Sequence, residues 1–339
     1  MMLISLAYRF TYKSLDEYAK LLSKQAVQTS LLSKSWVSSW KEVPTLELRS
    51  SKNNGFKKLR DFDKFVRSVL YNRNRSLKLD TLTFVREGVA SAKILKEVLN
   101  YAFSHGVKHV DASINVTKKE EWPVYWNTSS DALLSLNLTS MSNTRCPFLE
   151  PEILELGPFK NLTVLYLKGA IITDSDSFSQ FPELNKLTLD ELTVSCSESI
   201  SCIELITPKL KLFEYKGINF PVLKKHDSLA VLETVAIDFQ GTRHDLYKRR
   251  MFEDLLVFFK AVANAKSLTM FSPIVHLLYV YRDEVKRCFP FRHLEFAKLD
   301  FGKPGSKVLF YNSLIVKGYS LKKSPYSKCK VLCPTFISE

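Results

Sequence analysis

The chain is poor in several things that would announce an enzyme or a membrane protein. Only 10 of its 339 residues are glycine. Neither GxGxxG nor GxxxxGK[ST] occurs, so there is no glycine-rich cradle for a nucleotide phosphate, and a doubly wound nucleotide-binding sheet is not expected. No run reaches the roughly 18 apolar residues needed to span a bilayer as a helix. The opening MMLISLAYRF is apolar but lacks a basic start and a small-residue cleavage pattern, so it is not expected to be a secretory signal. Six cysteines (146, 196, 202, 288, 329, 333) form no dense framework. Cys329 and Cys333 have no nearby histidine or second pair, which argues against zinc and for reduced thiols. The Asn137-Leu-Thr139 and Asn161-Leu-Thr163 triplets are then expected to be incidental.

Catalytic constellations are equally thin. The six histidines are scattered, and His105 and His109, although four apart, are separated by Gly106 at a helix end. His244-Asp245 reads as an exposed loop with a helix-start aspartate. Asp174 and Asp176 read as a turn or cap after a strand. No GxSxG elbow or catalytic cysteine context is present. The expectation is a non-catalytic chain with no cofactor and no metal.

Charge is abundant and one-sided. Lys and Arg number 49 against 35 Asp and Glu, a formal net charge of +14, and residues 1–75 hold 15 basic against 6 acidic side chains. The basic residues are dispersed and no stacking aromatics frame them, so a solvated basic surface is expected, without a dedicated nucleic-acid site.

What the sequence has in quantity is repetition. The pattern apolar-x-x-apolar-x-apolar recurs at Val43-Leu46-Leu48, Leu79-Leu82-Phe84, Val107-Val110-Ala112, Leu133-Leu136-Leu138 and Leu162-Leu165-Leu167. It continues at Leu184-Leu187-Leu189, Leu210-Phe213-Tyr215, Leu232-Val235-Ile237, more weakly at Leu268-Phe271, and at Leu294-Ala297-Leu299. Two apolar positions two apart face one side of a strand, and the third packs from the turn that leads in. One such unit cannot bury its apolar side alone, so units stack into a parallel sheet. The fold class predicted is α/β: a leucine-rich-repeat solenoid, a curved parallel sheet with outer helices and loops.

Return segments should form the outer wall. Over 91–104, Ile94, Leu95, Val98, Leu99, Ala102 and Phe103 recur at helical spacing, and Gly106 offers a C-cap. Over 250–264, Phe252, Leu255, Leu256 and Phe259 make a second stripe. Both stripes are read as core. Three regions follow: 1–44 helical, 45–301 repeats, and a 302–339 extension. In the extension a hairpin is expected at Val308–Tyr311 and Leu314–Val316, and no ordered element after about Tyr319.

The 26–48 segment, AVQTSLLSKSWVSSWKEVPTLEL, holds two of the four tryptophans. It resembles the second half of the F-box of plant F-box/leucine-rich-repeat proteins, with Ala26, Val27, Thr29, Ser30, Leu32, Ser33, Lys34, Trp36, Trp40, Val43 and Pro44 matching. ILKEVLNYAFSHGVKHVDASI and FKNLTVLYLKGAIITDSDSFSQFPELNKLTLDELTV resemble the family's repeats, as does TPKLKLFEYKG, and the resemblance covers about residues 15–301. It implies a small helical module that docks a Skp-type linker of a Skp–cullin–F-box (SCF) ubiquitin ligase, with an unidentified substrate protein held on the repeats. Val27, Leu31, Leu32, Ser33 and Trp36 are the implied linker contacts. Such an adaptor would work in the nucleus or the cytoplasm. The F-box is truncated or degenerate: YKSLDEYAKLLSKQAV lacks the proline of the family's Leu-Pro-Asp/Glu opening, and Leu15 to Trp36 is about six residues short. Leu15, Tyr18, Leu22 and Ala26 still share a helical face, so either a shortened first helix packs on the second or the stretch is unrelated. Loss of ligase coupling is the alternative reading. Trp36, Trp40, Val43 and Pro44 are expected to seal the junction with the first strand, because each tryptophan buries about 150–250 Å² and a solenoid end needs covering.

Overall fold

In a computed structural model, the structure describes residues 39–50, 56, 58–74, 76–90, 92–116, 131–140, 146–149, 159–172, 178, 181–190, 193–194, 202–203, 205–217, 220, 222–223, 227–240, 249–291, 293–300 and 328–332. Two compact units are present: 1–148 with 152–161, and 149–151 with 162–339. Both are α/β, built from parallel strands one repeat apart.

The first unit opens with a short helix α1 (Ser39–Glu42), then β1 (Thr45–Arg49), helix α2 (Leu59–Asn72), β2 (Thr81–Ala90), helix α3 (Ala92–Ser104), β3 (His109–Val116) and β4 (Ser135–Ser140). A short strand β5 (Cys146–Leu149) follows. Strands β1 to β4 pair in parallel and in chain order, with Leu46 opposite Leu82, Leu82 opposite Val110, and Val110 opposite Leu136. The repeat positions therefore stack row on row. Leu46, Leu48, Leu82, Phe84, Val110, Ala112, Leu136 and Leu138 are all buried, as are the leading Val43, Leu79, Val107 and Leu133. At roughly 1.5–3 kcal/mol for each large apolar side chain, these rows are the main favourable term in the unit.

Helix α3 buries all six residues of its expected stripe. It ends at Gly106, whose φ of 66° is the left-handed conformation that a glycine C-cap adopts without strain. Helix α2 buries Phe62, Val66, Val69 and Leu70, one face at helical spacing. Its Phe62 ring lies 6.2 Å from Phe84 of β2. Arg86 sends Nε and Nη2 to the two Asp63 carboxylate oxygens, each at 3.0 Å, and Arg67 reaches Glu97 of α3 at 2.8 Å.

The second unit holds β6 (Val164–Lys168), β7 (Ala170–Ile172), β8 (Lys186–Asp190), β9 (Thr193–Val194), β10 (Cys202–Ile203), β11 (Leu212–Gly217), β12 (Val222–Leu223) and β13 (Thr234–Phe239). Next come helix α4 (Arg249–Ala261), β14 (Ser267–Phe271), helices α5 (Ser272–Val280) and α6 (Arg282–Cys288), β15 (Phe296–Asp300) and β16 (Lys328–Leu332). The main sheet runs β6-β8-β11-β13-β14-β15-β16, parallel throughout. The short strands pair apart from it, β7 with β9 and β10 with β12. Helix α4 buries Phe252, Leu255 and Phe259 of the expected stripe and adds Met251 and Phe258, while Leu256 is only half-buried.

A second ladder runs along the turns that lead into the strands. One carbonyl in each turn accepts the two N–H groups of the next repeat's turn. Thr163 accepts from Asn185 and Lys186, Asn185 from Lys211 and Leu212, Lys211 from Glu233 and Thr234, and Glu233 from Lys266 and Ser267, all within 2.8–3.0 Å. In the first unit Asp80 receives Lys108 and His109 in the same way, both at 3.0 Å. Backbone groups that a strand ladder alone would leave unpaired are thus satisfied between repeats.

Two expectations are corrected. The weak repeat is not framed by Leu268 and Phe271: Ala265, Leu268 and Met270 are the buried positions, and Phe271 lies half-exposed on the opposite face. Pairing of Val235 with Leu268 decides this register, because a one-residue slip would turn every side chain to the other face. Within the tail, where no ordered element is expected, Lys328–Leu332 forms a strand paired residue for residue with Phe296–Asp300. The expected hairpin at 308–316 lies outside the described residues, as do His244-Asp245 and Asp174 with Asp176.

Candidate functional site

A parallel sheet with one face packed on helices and loops leaves the alternate side chains for contact with a partner. In the first unit those positions form rows across four strands. Glu47, Thr83, Asp111 and Asn137 make one, and Arg49, Val85, Ser113 and Thr139 the next. The face is rich in hydroxyls and carries a compact charged group, Arg49 with Glu47 in an ion pair and Asp111 beside them. Burial pushes the Asp111 carboxyl above the usual carboxylate range, and the Arg49 charge pulls it partly back.

In the second unit the row at the strand ends alternates in charge. Lys168, Asp190, Lys216 and Asp238 stand opposite one another on β6, β8, β11 and β13. Opposite charges on neighbouring strands are the favourable arrangement. Phe271 and Asp300 continue the row on β14 and β15. Asp190 is 6% exposed; its Oδ2 accepts the Tyr166 hydroxyl at 3.0 Å and lies 3.6 Å from Lys168 Nζ, while Oδ1 has no hydrogen-bond partner among the described residues. Thr188, also buried, donates to Glu214 at 3.0 Å in the adjacent row. Asp300 pairs with Lys298 at 3.1 Å. Burial raises the Asp238 carboxyl above its ordinary range; Lys216 and a Gln240 hydrogen bond oppose this, and the charges of Asp190 and Asp300 add to it.

Of the residues expected at the N-terminal junction, Val27, Leu31, Leu32, Ser33 and Trp36 lie outside the described residues. Trp40 is half-buried on α1, with Lys41 Nζ 5.9 Å from its ring centre. Val43 is buried and Pro44 exposed. Their backbone carbonyls are what the fold uses: Val43 O accepts from Arg73 Nη2 at 2.6 Å, and Pro44 O from Asp80 N at 2.8 Å. Arg73 is 3% exposed, an arginine held inside the junction.

Reading the sequence residue by residue missed Arg73 and the charged row. A signal for the row exists: Lys168, Asp190, Lys216, Asp238 and Asp300 each follow directly on the last apolar residue of a repeat. His105 and His109 do not converge. His105 stacks on Tyr101 with ring centres 3.9 Å apart and Nδ1 2.7 Å from the Tyr101 carbonyl, while His109 begins β3 on the polar face. Among the described residues no group of three or more His, Cys, Asp or Glu could hold a metal, and no helix is long and apolar enough to cross a membrane.

No protein-family model matches the chain. Three curated proteins of Arabidopsis thaliana do resemble it. One F-box/FBD/LRR-repeat protein is 33% identical over 189 residues, 51% of this chain and 36% of that protein. Another F-box/FBD/LRR-repeat protein is 25% identical over 323 residues, 83% of this chain and 66% of its own length. An FBD-associated F-box protein is 27% identical over 199 residues, 55% of this chain and 42% of that protein. The chain thus spans between 36% and 66% of the length of these relatives. In sequence and in repeat architecture it resembles the plant F-box/leucine-rich-repeat proteins.

Proposed function

We propose that this chain is a substrate-recognition adaptor of an SCF-type (Skp–cullin–F-box) ubiquitin ligase, acting in the nucleus or the cytoplasm. The N-terminal segment docks the Skp-type linker through Val27, Leu31, Leu32, Ser33 and Trp36, and the polar faces of the repeat sheets hold the target protein. The observation that carries the reading is the run of F-box residues from Ala26 to Pro44 leading directly into a parallel repeat sheet, in a chain whose relatives carry both F-box and LRR in their names. Such an adaptor performs no chemistry itself. It raises the effective concentration of a target lysine beside a ubiquitin-charged enzyme, which requires only two binding surfaces on one chain.

A second reading, a repeat protein that binds its partner without ligase coupling, is favoured by the residues before Ala26, where the proline of the family's opening is missing and the interval from Leu15 to Trp36 falls about six residues short of the family's. Co-elution of the purified chain with a Skp-type linker at micromolar concentration separates the two. A one-to-one complex that the Leu32→Asp substitution disrupts is the expected result. Separate elution of a chain whose repeats remain folded by circular dichroism would overturn the adaptor reading and leave the second.

A further inference from the structure

We infer that the outward face of helix α2 is a docking surface for an acidic protein segment, which sets its carboxylates against Arg60, Lys64 and Arg67 and covers Tyr71. The inference goes beyond the reading of the polar sheet faces, because it concerns the wall formed by the helices.

Helical geometry sets the stripe. At 3.6 residues per turn, Arg60, Lys64, Arg67 and Tyr71 fall within an arc of about 60° and span about 16 Å along the axis. They lie opposite the buried face of Phe62, Val66, Val69 and Leu70. All four are exposed, Tyr71 by 73%. The fold makes little use of these charges. Arg67 pairs with Glu97 of α3 at 2.8 Å, between two side chains open to solvent, while Arg60 and Lys64 make no ion pair within 4.0 Å among the described residues. Their placement also works against the helix. Arg60 stands in the first turn, where the positive end of the dipole disfavours a cation, and the last turn has no basic residue. Arg60 and Lys64 are four apart, Lys64 and Arg67 three apart, and like charges at those spacings repel. Charges that break the local rules of a helix without a gain in packing mark a site of contact outside the chain. The exposed tyrosine beside them supplies the apolar part of such a contact. Asp61 flanks the stripe and Glu97 faces Arg67. Both would repel the unbroken line of phosphates on a nucleic acid, whereas a peptide places its carboxylates one at a time.

A chain of net charge +14 attracts any acidic peptide from a distance, so the test must separate the stripe from the net charge. Two random peptide pools, with Glu or with Gln fixed at the i, i+4, i+7 spacing of the stripe, are titrated against the full-length chain by fluorescence anisotropy, beside a random single-stranded DNA of similar length. Salt is held at about 150 mM, where the Debye length is about 8 Å. The Glu pool is expected to bind about tenfold more tightly than the Gln pool, as three exposed ion pairs warrant. Arg60→Gln/Lys64→Gln should lose most of that difference without lowering the urea midpoint, and Tyr71→Ala should weaken the Glu pool. Arg250→Gln/Lys260→Gln removes two exposed charges from α4 and should leave the preference intact. An equal loss in that control would trace the preference to net charge and overturn the inference. Equal binding of the two peptide pools, or a Glu-pool affinity that neither α2 variant changes, would also overturn it. So would tighter binding of the DNA, or a lowered urea midpoint, which would mean that the cations serve the fold. Failure of linker co-elution alone would overturn the ligase reading and leave this one intact.

Discussion

Replacing Arg73 by alanine should loosen the junction between α1 and β1 without unfolding the repeats. Arg73 is 3% exposed, and its Nη2 donates to Val43 O at 2.6 Å and to Lys78 O at 3.4 Å, while Nη1 reaches the Tyr101 hydroxyl at 3.4 Å. A hydrogen bond from a charged donor contributes about 1.5–3 kcal/mol. Only the Val43 bond has the length for full strength, and its loss leaves a buried carbonyl unpaired. Packing of the arginine stem adds to the loss; release of a buried charge from a low-dielectric site subtracts from it. The net cost is about 2–3 kcal/mol, confined to the elements that Arg73 ties together: β1, the end of α2 and the Lys78 turn. Since each 1.4 kcal/mol is tenfold in an equilibrium, amide exchange in β1 should speed up by about 30- to 150-fold. Hydrogen exchange read by mass spectrometry on peptides covering Lys41–Ser50 measures this directly. Peptides from β14 in the second unit serve as the internal control and should not change. Arg73→Lys should recover part of the protection, because an ammonium can meet one carbonyl but cannot fork between two. Exchange in β1 within twofold of the parent chain would refute the argument.

Three further outcomes follow from particular contacts. Gly88 has φ 71° where the β2–β3 register shifts, and a Cβ there would lie 2.7 Å from Leu59 Cδ1; Gly88→Ala should cost about 1–3 kcal/mol in urea unfolding, and adding Leu59→Ala should remove the steric part while the backbone strain remains. A Cβ on Gly217 would meet the buried Tyr215 ring, with Cζ at 2.7 Å; Gly217→Ala should destabilise by about 1–3 kcal/mol, and Tyr215→Phe alone should not restore it, because Cζ stays in place. Asp111 and Asp238 both have raised carboxyl pKa values, so the folded state holds their protons more tightly than the unfolded one. Their charged forms therefore disfavour folding as pH rises from the ordinary carboxylate value through the raised one. Asp111→Asn and Asp238→Asn should increase the urea midpoint at pH 7, and that gain should vanish below the carboxylate range; a loss of stability at pH 7 would contradict the sign.

The outer pairs Lys211–Glu233 at 3.9 Å and Lys266–Glu295 at 3.8 Å join exposed side chains on neighbouring repeats. Each contributes at most about 1 kcal/mol and is screened by salt. They tie adjacent repeats together at the rim and leave the polar face free.

By itself the sequence determined the repeat frame and most of the packed rows. An apolar-x-x-apolar-x-apolar spacing admits one short strand with two side chains on one side, and Leu82 and Phe84, Leu187 and Leu189, and Val235 and Ile237 are all buried as that spacing requires. The stripe over α3 was legible because six apolar residues at helical period leave no strand alternative. Where apolar residues were sparse or ambiguous, only the tertiary structure could decide. Leu268, Met270 and Phe271 fit two frames locally, and pairing with β13 selects one. Lys328–Leu332 has too little pattern to announce a strand, yet β15 offers it a parallel edge. Arg73 reads as one basic residue among many, since its partners are carbonyls at Val43 and Lys78 that no side-chain pattern encodes. The row of Lys168, Asp190, Lys216 and Asp238 comes from residues 22 to 26 positions apart in the chain. Register brings them side by side, and the charge field they create exists only once the strands are stacked.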